Sequence, residues 1–392
     1  MSALPFSVQG TIGPRPVKFR IMTYNFNNAV FYEKAGYDKE DFRQRIDRLA
    51  KLMEYFAKEH VVLFNIQELS SRYMDTDKIR NIILKRLKKV NIAWTATPPM
   101  SRHGDHAKCL QLMTFWNANI LHLNRMINHH YSEGESRDVG DKLCGDLGIF
   151  ATGNALIMDM SLHVPAIDGE YHTTGLSIDN EAKILNVNTH LPMKGPLKVR
   201  CLEQLYAYIN KIESIDDYFV SISGTMNVFF DEAESKSMIQ GMETFGTIGA
   251  SPCTDSGSYS YPTYDGMETR ETTFVGMKYD IKNIMKLFDP DIEPEKFKLW
   301  IDGQASIIKK EFGRDVGPLD WFIFKNRPWC QSINTCVLSI QNIVTLLHDD
   351  FEHWLNGNNM VPDYGNFISD NLPLMTTIVF DNSKRESYLL HM

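Results

Sequence analysis

The sequence predicts an α/β sandwich, two sheets packed face to face with helices outside them. Three observations point there. Short apolar runs of strand character recur along the chain, and longer segments between some of them repeat their apolar residues at three and four. Strands that are short and buried, with helices between them, favour stacked sheets flanked by helices. Finally, 43% hydrophobic and 23% charged residues in 392 is the balance of a globular protein with a sizeable core.

The elements follow in order. Residues 18–24, KFRIMTY, alternate as a β-rich strand. In EDFRQRIDRLAKLMEYFAKE, Phe42, Ile46, Leu49, Met53 and Phe56 form one helical stripe. VVLFNI at 61–66 then suits a strand buried on both faces. Further strand signals fall at 110–116, 155–160, 182–191, 218–223, 320–325 and 374–380. A second core-facing helix carries Val199, Leu202, Leu205, Tyr206 and Ile209. With no repeat and no low-complexity linker, residues 1–392 read as a single domain with elaborations at about 231–318 and 330–366, the latter holding a helix capped by Gly357.

Charge narrows the function classes. A net charge of −8 and a pI near 5.9 provide no global positive field for a phosphate backbone, so nucleic acid is an unlikely partner. The local basic run with Lys85, Arg86, Lys88 and Lys89 reads as the solvated face of a helix built around Ile79, Ile83 and Leu87. The first residues lack the basic and apolar regions of a secretory signal, and no eighteen apolar residues run together, so the expectation is a soluble intracellular protein without a membrane span. Six scattered cysteines without a CxxC pair read as reduced thiols, although Cys330 and Cys336 could bridge in an oxidising setting.

Candidate chemistry gathers at strand ends, in MTYNFNN, LFNIQELSS, VNTHLPM, ISGTMNVFF, PLDWFIFKN and FISDNLPLMTTIVF. These offer Asn25, Glu68, His190, Asn227, Asp320 and Asp370. Amide and carboxylate oxygens are hard ligands suited to Mg²⁺, and a nearby histidine can donate a proton or hold a phosphoryl oxygen. His103, His106 and Cys109 lack a fourth zinc ligand and read as a polar loop, as do His129 and His130.

Taken together, these strings resemble the endonuclease/exonuclease/phosphatase superfamily, in its deoxyribonuclease and neutral sphingomyelinase branch, from about Phe19 to Phe380. The resemblance implies a four-layer α/β sandwich with two mainly antiparallel sheets, and Mg²⁺-dependent cleavage of phosphoester bonds. It makes Glu68 the main metal ligand, with Asn25 and Asp370 beside it. It gives His190 a role at the leaving group or the phosphate, sets Asn227 in the catalytic loop, and has Asp320 orient a histidine. Two positions depart from the pattern. Thr225 stands where the family motif has the aspartate that positions the attacking water, and Asn371 stands where it has a histidine.

Neither replacement can exchange a proton near neutral pH. The expectation is therefore a pseudoenzyme with a binding, structural or self-assembling role. It would have protein partners or associate with itself, and a phosphorylated ligand or Mg²⁺ could still be held. The alternative is a divergent Mg²⁺-dependent phosphodiesterase, nuclease-like or sphingomyelinase-like, that works through His190 and Glu68.

Overall fold

The computed structural model describes residues 17–26, 39–69, 74–100, 111–131, 154–162, 182–191, 195–226, 320–325, 330–337 and 373–380. They form eleven strands and three α-helices. The strands are β1 (Val17–Asn25), β2 (Val61–Leu69), β3 (Trp94–Ala96), β4 (Gln111–Asn117), β5 (Leu121–His130), β6 (Asn154–Leu162), β7 (Ala182–His190), β8 (Tyr218–Thr225), β9 (Asp320–Lys325), β10 (Cys330–Val337) and β11 (Leu374–Phe380). The helices are α1 (Lys39–Lys58), α2 (Thr76–Val90) and α3 (Gly195–Ile209).

One sheet runs β10-β11-β1-β2-β4-β3 and the other β5-β6-β7-β8-β9. Each is antiparallel except for one parallel pair, β1 with β2 and β7 with β8. A parallel neighbour needs a crossover. Helix α1 supplies it in the first sheet and α3 in the second. Helices outside two stacked sheets make the four layers that the resemblance implies.

Three apolar clusters hold the layers. Ile46, Leu49 and Met53 of α1 meet Phe64 and Ile66 of β2, with Ile79, Ile83 and Leu87 of α2 in the same cluster. Leu202, Leu205 and Ile209 of α3 meet Leu185, Val187, Val220 and Ile222. Phe19, Ile21, Leu63, Ile184, Phe219, Phe322 and Phe324 belong to the third cluster, between the sheets. Each buried side chain of this size contributes roughly 1.5–3 kcal/mol on removal from water. Arg45 ties α1 to the end of β1: its Nη2 donates to the Phe26 carbonyl at 2.7 Å, and its guanidinium lies 4.5 Å over the Phe26 ring. Asp75 caps α2, accepting from the Asp77 and Lys78 amides at 2.8 and 3.3 Å.

The structure adds β3, β5 and β10 to the expected strands. His129 and His130 are not in a loop but end β5, opposite Ala155 and Asn154 of β6. The polar sequence LHLNRMINHH conceals the strand because among the described residues β5 has only β6 as a neighbour, and most of its residues are partly or fully exposed. Residues 330–337 are a strand of the first sheet, so the second elaboration, as bounded from the sequence, begins inside the sandwich. That strand also excludes a bridge within it. Six extended residues separate the Cα atoms of Cys330 and Cys336 by about 20 Å, far beyond disulfide reach. The 231–318 elaboration, residues 338–366, and His103, His106 and Cys109 lie outside the described residues.

One glycine is required where β7 and β8 run parallel. Gly224 has φ +138°, and a Cβ on it would lie 1.8 Å from the Thr189 carbonyl oxygen. Substitution must therefore push apart the two strands that carry His190 and Thr225. Gly224→Ala is expected to lower stability by about 3 kcal/mol or more, as read from the urea midpoint; an unchanged midpoint would show that the strands part freely.

Candidate functional site

The site begins as an alternation. Side chains at every second position of a strand share one face, and the inward faces change character along their length. On β1 the series is Phe19, Ile21, Thr23, Asn25. On β7 it is Ile184, Asn186, Asn188, His190, and on β8 Phe219, Ser221, Ser223, Thr225. Strand β9 runs antiparallel to β8 and reads Phe324, Phe322, Asp320 in the same direction. The layer between the sheets is apolar at one end and polar at the other.

Hydrogen bonds organise the polar half in tiers. In the lowest, Asn65 Nδ2 donates to Asn186 Oδ1 at 3.0 Å and to Ser223 Oγ at 2.7 Å, while Thr114 Oγ1 donates to Asn65 Oδ1 at 2.8 Å. Above it, Gln67 Nε2 donates to Thr23 Oγ1 at 2.8 Å and to Asn188 Oδ1 at 2.7 Å. All these side chains are fully buried, so each bond answers a desolvation cost.

The top tier holds the expected site residues. Asn25 Nδ2 donates to Glu68 Oε1 at 2.8 Å and to Thr225 Oγ1 at 2.9 Å. Thr225 Oγ1 donates its own proton to Asp320 Oδ1 at 2.6 Å. His190 Nε2 lies 3.0 Å from Glu68 Oε1. A continuous chain, His190, Glu68, Asn25, Thr225, Asp320, thus crosses between the sheets. None of the five is more than 9% exposed.

Four of them, Asn25, Glu68, His190 and Thr225, lie at the carboxyl ends of the two parallel strand pairs. In open α/β sheets this is where ligands bind. Glu68 reaches the site by breaking its strand's alternation. Gln67 already points inward, so Glu68 should face the helices. Instead its φ is +57°, and the β2–β4 register shifts between Ile66 and Leu69. An irregularity of this kind re-aims a side chain.

The resemblance has Asp320 orienting a histidine. Here its Oδ1 accepts the Thr225 hydroxyl, directly across the β8–β9 register. The Thr225 proton is thereby committed, and its oxygen accepts from Asn25. Asn227, Asp370 and Asn371 lie outside the described residues. Among the described residues, no three His, Cys, Asp or Glu side chains come together as a metal group.

The tiers beneath the site escaped the sequence reading, though a signal was present. NIQE and NVNTH alternate polar and apolar residues within runs short and apolar enough to be buried strands. The polar positions point between the sheets and the apolar ones toward the helices.

Removing the Thr225 hydroxyl while keeping its shape tests the chain of contacts. Thr225→Val is expected to destabilise by about 2 kcal/mol, and Thr225→Ser by much less, in parallel urea titrations. Equal losses would show that the hydroxyl contributes little.

No protein-family model matches the sequence. No curated protein matches it either. Solved structures do match. An endonuclease/exonuclease/phosphatase family protein from Bacteroides thetaiotaomicron superposes with a TM-score of 0.52 at 12% identity, covering 94% of this chain and 100% of that one. An endonuclease/exonuclease/phosphatase protein from Bacteroides vulgatus gives 0.51 at 11% identity, covering 93% and 99%. A mannosyl-6-phosphatase from Bacteroides thetaiotaomicron gives 0.50 at 13% identity, covering 92% and 100%. The chain has the endonuclease/exonuclease/phosphatase fold.

Proposed function

We propose that this chain is a catalytically silent protein of the endonuclease/exonuclease/phosphatase fold, whose cleft binds a ligand without hydrolysing it. The observation that carries this reading is the Thr225 hydroxyl, held between Asp320 and Asn25. Its proton is spent on a carboxylate at 2.6 Å, so the position offers no base for an attacking water. A positioned acid or base is worth about 10²–10⁴-fold, and groups that act as a unit lose most of that when one is missing.

Binding capacity outlasts this loss. The left-handed backbone at Glu68 costs on the order of 1–3 kcal/mol and aims the carboxylate at His190 and Asn25. Mg²⁺ needs only one or two carboxylates and keeps several waters. Glu68 would hold such an ion with Asn25 beside it and Asp370 as a further ligand. The ion would supply charge neutralisation for a phosphorylated ligand. His190 is the neighbouring group that would hold a phosphate oxygen. In this role the sandwich is a rigid body for protein partners or self-association.

A second reading, a divergent Mg²⁺-dependent phosphodiesterase or phosphatase, is favoured by one contact, His190 Nε2 to Glu68 Oε1 at 3.0 Å. It keeps an ionisable pair in the cleft. A protein of similar fold is named as a mannosyl-6-phosphatase, which makes phosphate monoesters a substrate class to include.

Hydrolysis of bis-(p-nitrophenyl) phosphate and p-nitrophenyl phosphate in Mg²⁺ or Mn²⁺ separates the two. The expected result is no turnover that depends on Glu68, and a gain of at least about 10²-fold in the Thr225→Asp, Asn371→His double variant. Turnover by the natural chain that Glu68→Ala abolishes would establish the second reading. Calorimetric titration with Mn²⁺ tests the cleft itself: Glu68→Gln should weaken binding about tenfold or more, and an unchanged isotherm would remove Glu68 from the site.

A further inference from the structure

Away from the cleft, α2 presents a face of one sign. Ile79, Ile83 and Leu87 are buried on its inner side. On the outer side Lys78, Lys85 and Lys89, spaced by seven and four residues, fall on one stripe with Lys88 at its border, and all four are exposed. None of the four makes an ion pair among the described residues. The nearby acids are engaged elsewhere: Asp75 caps the helix, accepting from the Asp77 and Lys78 amides, Asp77 pairs with Arg80 at 2.9 Å, and Glu54 of α1 pairs with both Lys58 and Arg86 at 3.3 Å. Beyond the helix end, three residues after Lys89, Ile92 is 84% exposed, one of two large apolar side chains exposed among the described residues.

A chain of net charge −8 gains nothing in general solubility from an all-lysine face. Basic residues in the last turn do favour the helix dipole, which accounts for Lys88 and Lys89 but not for Lys78 or Lys85. We infer that this face docks on an anionic phospholipid surface. Four lysines along about 16 Å of helix meet a plane of negative headgroups, and their aliphatic stems can lie along it. Ile92 beside them reaches the boundary where hydrocarbon begins. Nucleic acid fits less well, because the described face has no aromatic side chain to stack a base and no free arginine to fork a phosphate.

The topology fixes the orientation. Helix α2 starts after the carboxyl end of β2, where Glu68 lies, and runs back toward the opposite end of the sandwich. Lys85, Lys88, Lys89 and Ile92 therefore stand at the end away from the cleft. Docked through these lysines, the protein keeps the carboxyl ends of β1, β2, β7 and β8, where Glu68 and His190 lie, away from the surface. The inference holds whether or not the cleft hydrolyses anything.

Flotation of the full chain with vesicles of phosphatidylcholine and phosphatidylserine, against phosphatidylcholine alone, tests this. Expected are binding to the mixed vesicles only, weakening as salt rises, and a loss of about a hundredfold for Lys85→Glu, Lys88→Glu, Lys89→Glu, at about fivefold per lysine. Ile92→Ser should weaken binding several-fold with the salt dependence unchanged. Lys211→Glu, an exposed lysine beyond α3, should change nothing. Circular dichroism melting of each variant confirms that its fold is kept. Absence of flotation, equal binding to phosphatidylcholine alone, or insensitivity to the lysine reversals would overturn the proposal. So would tighter, lysine-dependent binding to duplex DNA than to the vesicles.

Discussion

The whole arrangement depends on burying hydrogen-bonding groups between two sheets. Backbone pairing satisfies each sheet internally, but the side chains that face the gap must find partners across it or leave a buried group unsatisfied. Asn65 on β2 does so with Asn186 on β7 and Ser223 on β8, and the Nε2 of Gln67 does so with Asn188, while Gln67 Oε1 and Ser221 Oγ stay without a partner among the described residues. Such bonds are directional, whereas the apolar contacts of Phe19, Phe219 and Phe322 below them are not. The polar tiers therefore set the register of one sheet against the other, and the apolar half supplies most of the cohesion.

Of the four positive-φ residues among the described ones, His60 and Ser214 precede the amino ends of β2 and β8, and the other two lie where this constraint meets the site. Glu68 adopts φ +57° and Gly224 φ +138°, each within two residues of the end of a strand in a parallel pair. At Gly224 the conformation lets β8 approach the Thr189 carbonyl, bringing Thr225 to the level of His190 in the register. At Glu68 it turns a carboxylate from the helix side to the gap. The deviation at Glu68 costs stability locally, whereas glycine adopts a positive φ without steric penalty, and both place a polar group in the top tier.

Much of this was legible in the sequence, and the exceptions have physical causes. Residues 61–66 and 182–191 read correctly as strands, and Phe42 to Phe56 and Val199 to Ile209 as helix faces, because burial imposes a period that survives in the letters. Strand β5 did not, since a strand with one neighbour can be polar at most positions. The convergence of Asn25, Glu68, His190, Thr225 and Asp320 was legible only through the resemblance, as no local pattern brings residues 25 and 320 together. The link from Thr225 to Asp320 was not legible at all. It depends on the β8–β9 register, which the sequence does not encode locally.

Under the proposed silent reading, that link accounts for a threonine at position 225. An aspartate at position 225 would set a second carboxylate within hydrogen-bond distance of Asp320, directly across the strand pair. Two such groups cannot both stay ionised without a cation or a proton between them. Threonine removes the conflict. It gives Asp320 a donor, takes a donor from Asn25, and adds no charge. With threonine at position 225 the cross-sheet hydrogen bonds persist, and Glu68 is the inward-turned carboxylate of the first sheet among the described residues, while position 225 itself carries no group that exchanges a proton near neutral pH.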